Sequence, residues 1–153
     1  MFTELRIGQQ LVRVDREATA AFYGSTDTRA GAHECTCASC RNFAEQRATA
    51  YPDSFVALLR SVGADPAKEL EAFDYDFEDV GGMHLYGGWF VLCGEIVEGS
   101  EWRPETEPGT FSYWFTNSFP SGGLPTDRKF CAVEFCANIP WVTAELGTPH
   151  LGR

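Results

Sequence analysis

The chain changes character near residue 80, and that change most limits the folds open to it. Residues 43–50 are good helix formers. Asn42 or Ser39 is placed to cap a helix that starts at Phe43. Pro52 breaks that run and opens another. There Phe55, Val56, Leu58, Leu59 and Val62 recur at helical spacing before Gly63 stops them. Asp65-Pro66 then suits the start of a short third helix, with Leu70 and Phe73 as its apolar stripe. After the Gly81-Gly82 turn the pattern is that of strands. Residues 85–97 are aromatic and branched, with Gly87-Gly88 either a bulge or a turn. Residues 110–118 alternate, with Phe111, Tyr113 and Phe115 on one face and Ser112, Trp114 and Thr116 on the other. Residues 130–139 form a last strand, ended by Pro140-Trp141.

The first forty residues add less. Residues 11–14 read as a short strand. Asp15 either caps a helix running to Phe22 and stopped by Gly24, or residues 19–23 form a second strand. Residues 24–34, 99–109 and 120–127 are loops, and the tail from Gly147 is expected to be loose. Helices first and strands later predict an α+β fold, with N-terminal helices packed on a C-terminal antiparallel sheet, and argue against repeated βαβ units. The 153 residues suit a single domain, 1–153: a cysteine loop at 33–43, a helical part at 43–74 and a sheet part at 83–142. Aromatics make up 14% of the chain, so a packed core does not depend on disulfides.

The run His33-Glu34-Cys35-Thr36-Cys37-Ala38-Ser39-Cys40-Arg41-Asn42-Phe43 holds three of the six cysteines. Short spacing of soft thiolates suits zinc. Cys37 and Cys40 form the usual chelating pair, Cys35 adds a third donor, and His33 is the fourth residue of the expected metal set. His33 and Cys37 would stand about 13 Å apart at Cα in an extended segment. The histidine therefore joins only if the loop curls. Cys131, Cys136, Cys93 or solvent are the other candidates for the fourth position. Iron–sulfur spacings are absent. The same residues also suit thiol redox chemistry, because Cys37 and Cys40 sit at a helix start beside Arg41, where amide dipoles and positive charge favour a thiolate. A third reading leaves the thiols reduced and inert.

Cys35 to Phe43, then Tyr51-Pro52 with Leu58-Leu59, Gly63-Ala64-Asp65-Pro66 with Lys68-Glu69, and Tyr86-Gly87-Gly88-Trp89 with Gly94, carry a resemblance. Over residues 35–97 the chain resembles a group of small bacterial proteins of unknown function that carry C-x-C-x-x-C-R-N-F. The resemblance implies that residues 35–43 act as one structural unit, and it implies no activity. Asn42 is suited to cap the helix or bond a sulfur, Arg41 to neutralise a thiolate, and Phe43 to plug the helix start into the core.

Net charge is −10, and residues 65–107 account for it with twelve acids against Lys68 and Arg103. Such a surface repels phosphate backbones, which argues against direct nucleic-acid binding, and it would attract a basic protein partner. No stretch approaches a membrane span, and residues 1–10 lack the apolar run of a secretory signal, so the expected address is the cytoplasm.

Other motifs are weaker. Asp74 to Asp79 begins like a calcium loop, but Asp79 stands where glycine is needed and Leu85 where the bidentate acid is needed. A solvated acidic turn is the expectation there. His84 and Glu95 could form an acid–base pair. Neither a G-x-S-x-G nor a phosphate loop occurs. Trp89, Trp102, Tyr113, Trp114, Phe115, Phe119 and Trp141 exceed what one sheet face needs, and could line a ligand pocket or a partner surface.

The expectation is a cytoplasmic protein with a structural zinc or thiol site that acts by protein contact through an acidic face, as an immunity-type inhibitor would. The alternative is an enzyme: a thiol oxidoreductase using Cys37 and Cys40, or a zinc hydrolase with Cys35, Cys37 and Cys40 around an open metal position.

Overall fold

A computed structural model describes residues 2–25, 37–79, 82–99, 111–120 and 122–142. Two short strands come first, β1 (Phe2–Ile7) and β2 (Gln10–Asp15). Among the described residues three helices follow: α1 (Arg16–Ser25), α2 (Ala38–Ala50) and α3 (Asp53–Ser61). Then come β3 (Glu71–Asp79), the long β4 (Met83–Glu98), β5 (Phe111–Thr116) and β6 (Phe130–Pro140). The fold is α+β around an antiparallel sheet of six strands, ordered β1-β2-β4-β6-β5, with β3 also paired to β4. The helices therefore do not precede the sheet as expected. β1 and β2 form a hairpin ahead of them and join β4.

The expected third helix is absent, and the helical part ends at Ser61 rather than at residue 74. Asp65 does start a turn: its carboxylate accepts from the Ala67 amide at 2.9 Å and its carbonyl from Lys68. The chain then enters β3. Strand pairing decides the matter, because Glu71, Ala72, Phe73 and Asp74 pair in register with Trp89, Gly88, Gly87 and Tyr86. A period of two puts Ala72 and Asp74 on one face and Phe73 on the other, and the long-range ladder outweighs a cap signal.

Asp15 resolves the earlier ambiguity. Its carboxylate accepts from the Ala18 amide at 2.9 Å and caps α1. α3 begins after Pro52 and ends before Gly63, as its spacing predicts. Gly63 has φ of +86°, and a Cβ there would lie 2.4 Å from the Arg16 carbonyl, so only glycine fits.

Gly87-Gly88 is neither a bulge nor a turn. Both lie within β4, paired to Cys136 and Phe135 of β6. They make room for rings: a Cβ at Gly87 would meet the Tyr75 and Phe73 rings within 2.9 Å, and one at Gly88 would meet the Phe135 ring at 2.7 Å. The core is aromatic. Phe43 of α2 packs on Tyr86 and Phe135, and Phe55 of α3 on Phe90, Phe111 and Tyr113. Gln10, fully buried, clasps β5 by donating to the Phe115 carbonyl at 2.7 Å and accepting from its amide at 2.9 Å. Among the described residues no helix is long and apolar enough to cross a membrane.

Candidate functional site

α2 begins earlier than Asn42 or Ser39 would set it. Its N-cap is Cys37, in extended conformation, whose sulfur accepts the Cys40 amide at 3.4 Å. Ser39, Cys40 and Asn42 therefore lie inside the helix. Cys37 is partly exposed and Cys40 is buried, and neither is bridged. An N-cap residue and the third helical residue stand one turn apart, which suits the Cα separation that a disulfide needs.

A polar network lies against this first turn. Asp74 of β3 is fully buried, not solvated, and lies in a strand rather than the expected turn. It accepts from the Ser39 hydroxyl at 3.2 Å and stands 3.0 Å from Nδ1 of His84. The acid–base pair expected for His84 and Glu95 does not form: His84 turns to Asp74, and Glu95 pairs with Lys129 at 2.8 Å. The Lys129 ammonium holds the Glu95 carboxyl below its usual range. The order Ser39–Asp74–His84 is not that of a hydrolytic triad, where histidine stands between the acid and the nucleophile.

Tyr86 ties the network to the helix. Its hydroxyl donates to the Ser39 carbonyl at 2.7 Å and accepts from the Asn42 amide at 3.4 Å. Burial pushes the Tyr86 phenol well above its usual range, so it remains a donor. Asn42 lies inside the helix and does not cap it. It donates to the Pro140 carbonyl at 3.2 Å and accepts from the Val142 amide at 2.8 Å, and Gln46 adds a bond of 2.6 Å to the same carbonyl. These bonds lock α2 to the end of β6, and the Trp141 ring packs on His84. Phe43 does plug the core, with no exposed surface, and Arg41 is exposed.

His33 and Cys35 lie outside the described residues. Among the described residues no three His, Cys, Asp or Glu side chains are grouped to hold a metal ion. The alternative fourth ligands do not converge on Cys37 and Cys40. Cys93 and Cys131 lie at the far end of β4 and β6, with Cys93 seven residues (about 23 Å) along β4 from Tyr86. Cys136 neighbours Phe135 in β6 and so points to the sheet face opposite that ring.

The acidic segment is also less exposed than its sequence implies. Glu69 and Asp74 are fully buried, Glu71 nearly so, and Glu98 pairs with Arg6. Asp76, Glu78 and Asp79 have no described side chains, and Glu101, Glu105 and Glu107 lie outside the described residues.

No family model matches the chain, and neither a curated protein nor a solved structure does.

Proposed function

We propose that Cys37 and Cys40 form a dithiol that exchanges with disulfides. The observation that carries this reading is the use of a cysteine as the α2 N-cap, with its sulfur on the amide of a second, buried cysteine. Serine, threonine, aspartate and asparagine cap better, and a thioether or thiol sulfur is a weak acceptor. A thiolate gains more from that place, because the first-turn amides and the helix dipole stabilise negative charge. The partly exposed Cys37 is the attacking sulfur and the buried Cys40 the resolving one. Asp74 and His84 hold the turn between them through Ser39.

The reaction balances as follows. Cys37 gives its proton to solvent and attacks one sulfur of a substrate disulfide. A mixed disulfide forms and the other substrate sulfur leaves as a thiolate. Cys40, once deprotonated, attacks the Cys37 sulfur and expels the second substrate thiolate. Both leaving thiolates take up protons. Two electrons pass from the chain to the substrate, and Cys37 and Cys40 end as a disulfide.

The test uses an aromatic disulfide as substrate. The reading expects Cys40→Ser to trap a mixed disulfide on Cys37, and Cys37→Ser to react no faster than an ordinary buried thiol. Absence of the trapped adduct would contradict it. So would one zinc per chain in freshly purified protein, lost on Cys37→Ser. That result would instead support the structural zinc expected of Cys35, Cys37, Cys40 and His33.

A further inference from the structure

β1 leaves one edge open, a feature independent of the thiols. It is the outermost strand, and among the described residues it pairs only with β2. The hairpin between them has a two-residue loop, Gly8-Gln9, closed by the pair Ile7 and Gln10. A loop of that length is closed by a hydrogen-bonded pair, and such pairs alternate along the ladder. Thr3, Leu5 and Ile7 therefore turn their N–H and C=O groups to β2, and Phe2, Glu4 and Arg6 turn theirs outward. The register is unbroken along the strand, with no proline, lysine or bulge to guard the edge.

The side chains at this edge end a charge pattern. Glu4 of β1, Arg13 of β2 and Glu95 of β4 are successive in-register partners, so they share one sheet face. Arg13 donates to Oε1 of Glu4 at 3.1 Å, and Lys129 pairs with Glu95 at 2.8 Å. Signs thus alternate along the row, from Lys129 to Glu4 at the open edge. A second row on the same face ends in the opposite sign, where Arg6 reaches across Leu11 to Glu98 at 2.7 Å. The Glu4 and Arg6 side chains stay 50% and 54% exposed, which leaves each room for a second partner at the edge.

We infer that β1 pairs antiparallel with β1 of a second copy of this chain, about a two-fold axis at Leu5. Glu4 then faces the partner's Arg6, and Arg6 the partner's Glu4. Both pairs use residues whose main-chain groups turn outward, so each exchanges two main-chain hydrogen bonds. Both rows also continue with their signs alternating from one copy into the next. The neighbouring registers set Glu4 against the partner's Glu4, or Arg6 against the partner's Arg6, and like charges directly opposite are destabilising. Charges of one sign guard an edge because a copy meets them with the same sign. Opposite signs two residues apart do the reverse and select the copy. The same register sets Phe2, 62% exposed, opposite the partner's Gly8, which has no side chain to oppose the ring. The contact is isologous, so it closes at a dimer.

Six residues a side make less than a standard interface, so the association is weak and is followed by sedimentation up to about 1 mM chain. The inference expects a dimer whose share rises with concentration. Glu4→Arg alone and Arg6→Glu alone should each weaken it by about tenfold or more, because both cross-strand pairs become repulsive. An equal mixture of the two variants should restore it, as one copy of each. A chain that stays monomeric throughout would overturn the inference and leave the edge to a strand of another protein. Species beyond the dimer, or a dimer that neither variant weakens, would overturn it too. Should a variant fail to fold, Leu5→Cys decides: a disulfide joining residue 5 of two copies is expected, and its absence under oxidation would contradict the pairing.

Discussion

Glu69 and Asp74 belong to an acidic stretch, yet both are fully buried. The environment of each differs. Glu69 accepts both Nε, at 2.8 Å, and Nη2 of Arg47, a two-point contact that satisfies both charges. Removing one partner strands the other in a dry site. Glu69→Ala should therefore cost about 3–5 kcal/mol in urea denaturation, far beyond a surface acid such as Glu98. Buried thiols give a second prediction at this scale. Burial pushes Cys131 up to about 12, and Cys93 is raised for the same reason. From the ordinary thiol value near pH 9 up to the folded value, the unfolded chain releases a proton that the native chain keeps. The native state then binds more protons, so stability falls as pH rises through that window. Cys131→Ala should flatten the fall by about 1.4 kcal/mol per pH unit when urea midpoints are followed above about pH 9. An unchanged slope would show that Cys131 does not titrate with folding.

The first turn of α2 separates capping from chemistry. Cys37→Ser keeps an acceptor at the N-cap and should leave stability unchanged or raise it by up to about 1 kcal/mol. Cys37→Ala should lower it by about 1 kcal/mol. Thermal unfolding of the two variants decides this, and equal losses would mean that the sulfur does not cap. Much at this scale was legible. The Pro52–Gly63 bounds of α3 and the alternation of β5 follow from local signals, whereas Asp15 as the α1 cap was one of two open readings that the structure decides. The misses share a cause. Asp65-Pro66 promised a helix and gives one turn, because residues 71–74 gain more by pairing with β4. Gly87-Gly88 promised a break and gives space for rings from two neighbouring strands. The start of α2 was misplaced because serine and asparagine outrank cysteine as caps, and both are used elsewhere: Ser39 on Asp74, and Asn42 on Tyr86 and the end of β6. His84 chose Asp74 over Glu95 for the same reason, since which strand lies beside β4 is invisible in either segment alone.

Across the whole molecule, long-range contacts assemble what the sequence scatters. Residues 10 and 115 meet in the Gln10 clasp, 39 and 74 at the first turn of α2, and 42 and 142 at the end of β6. The two faces of the sheet thereby differ in what they carry. One carries the aromatic core and the Asp74 network under Cys37 and Cys40, and the other carries the row of Glu71, Trp89, Glu134 and Trp114. Variants on one face should leave the other unaffected, as sites without shared partners are additive.

The most direct measurement is a redox titration of the intact protein. The chain is equilibrated in glutathione buffers of graded potential, its thiols are alkylated, and each cysteine is mapped by mass spectrometry. The account predicts that Cys37 and Cys40 pass together from alkylated to disulfide-linked, reversibly, while Cys93, Cys131 and Cys136 stay reduced. Cys37 and Cys40 that remain alkylated as separate thiols at every potential would contradict it.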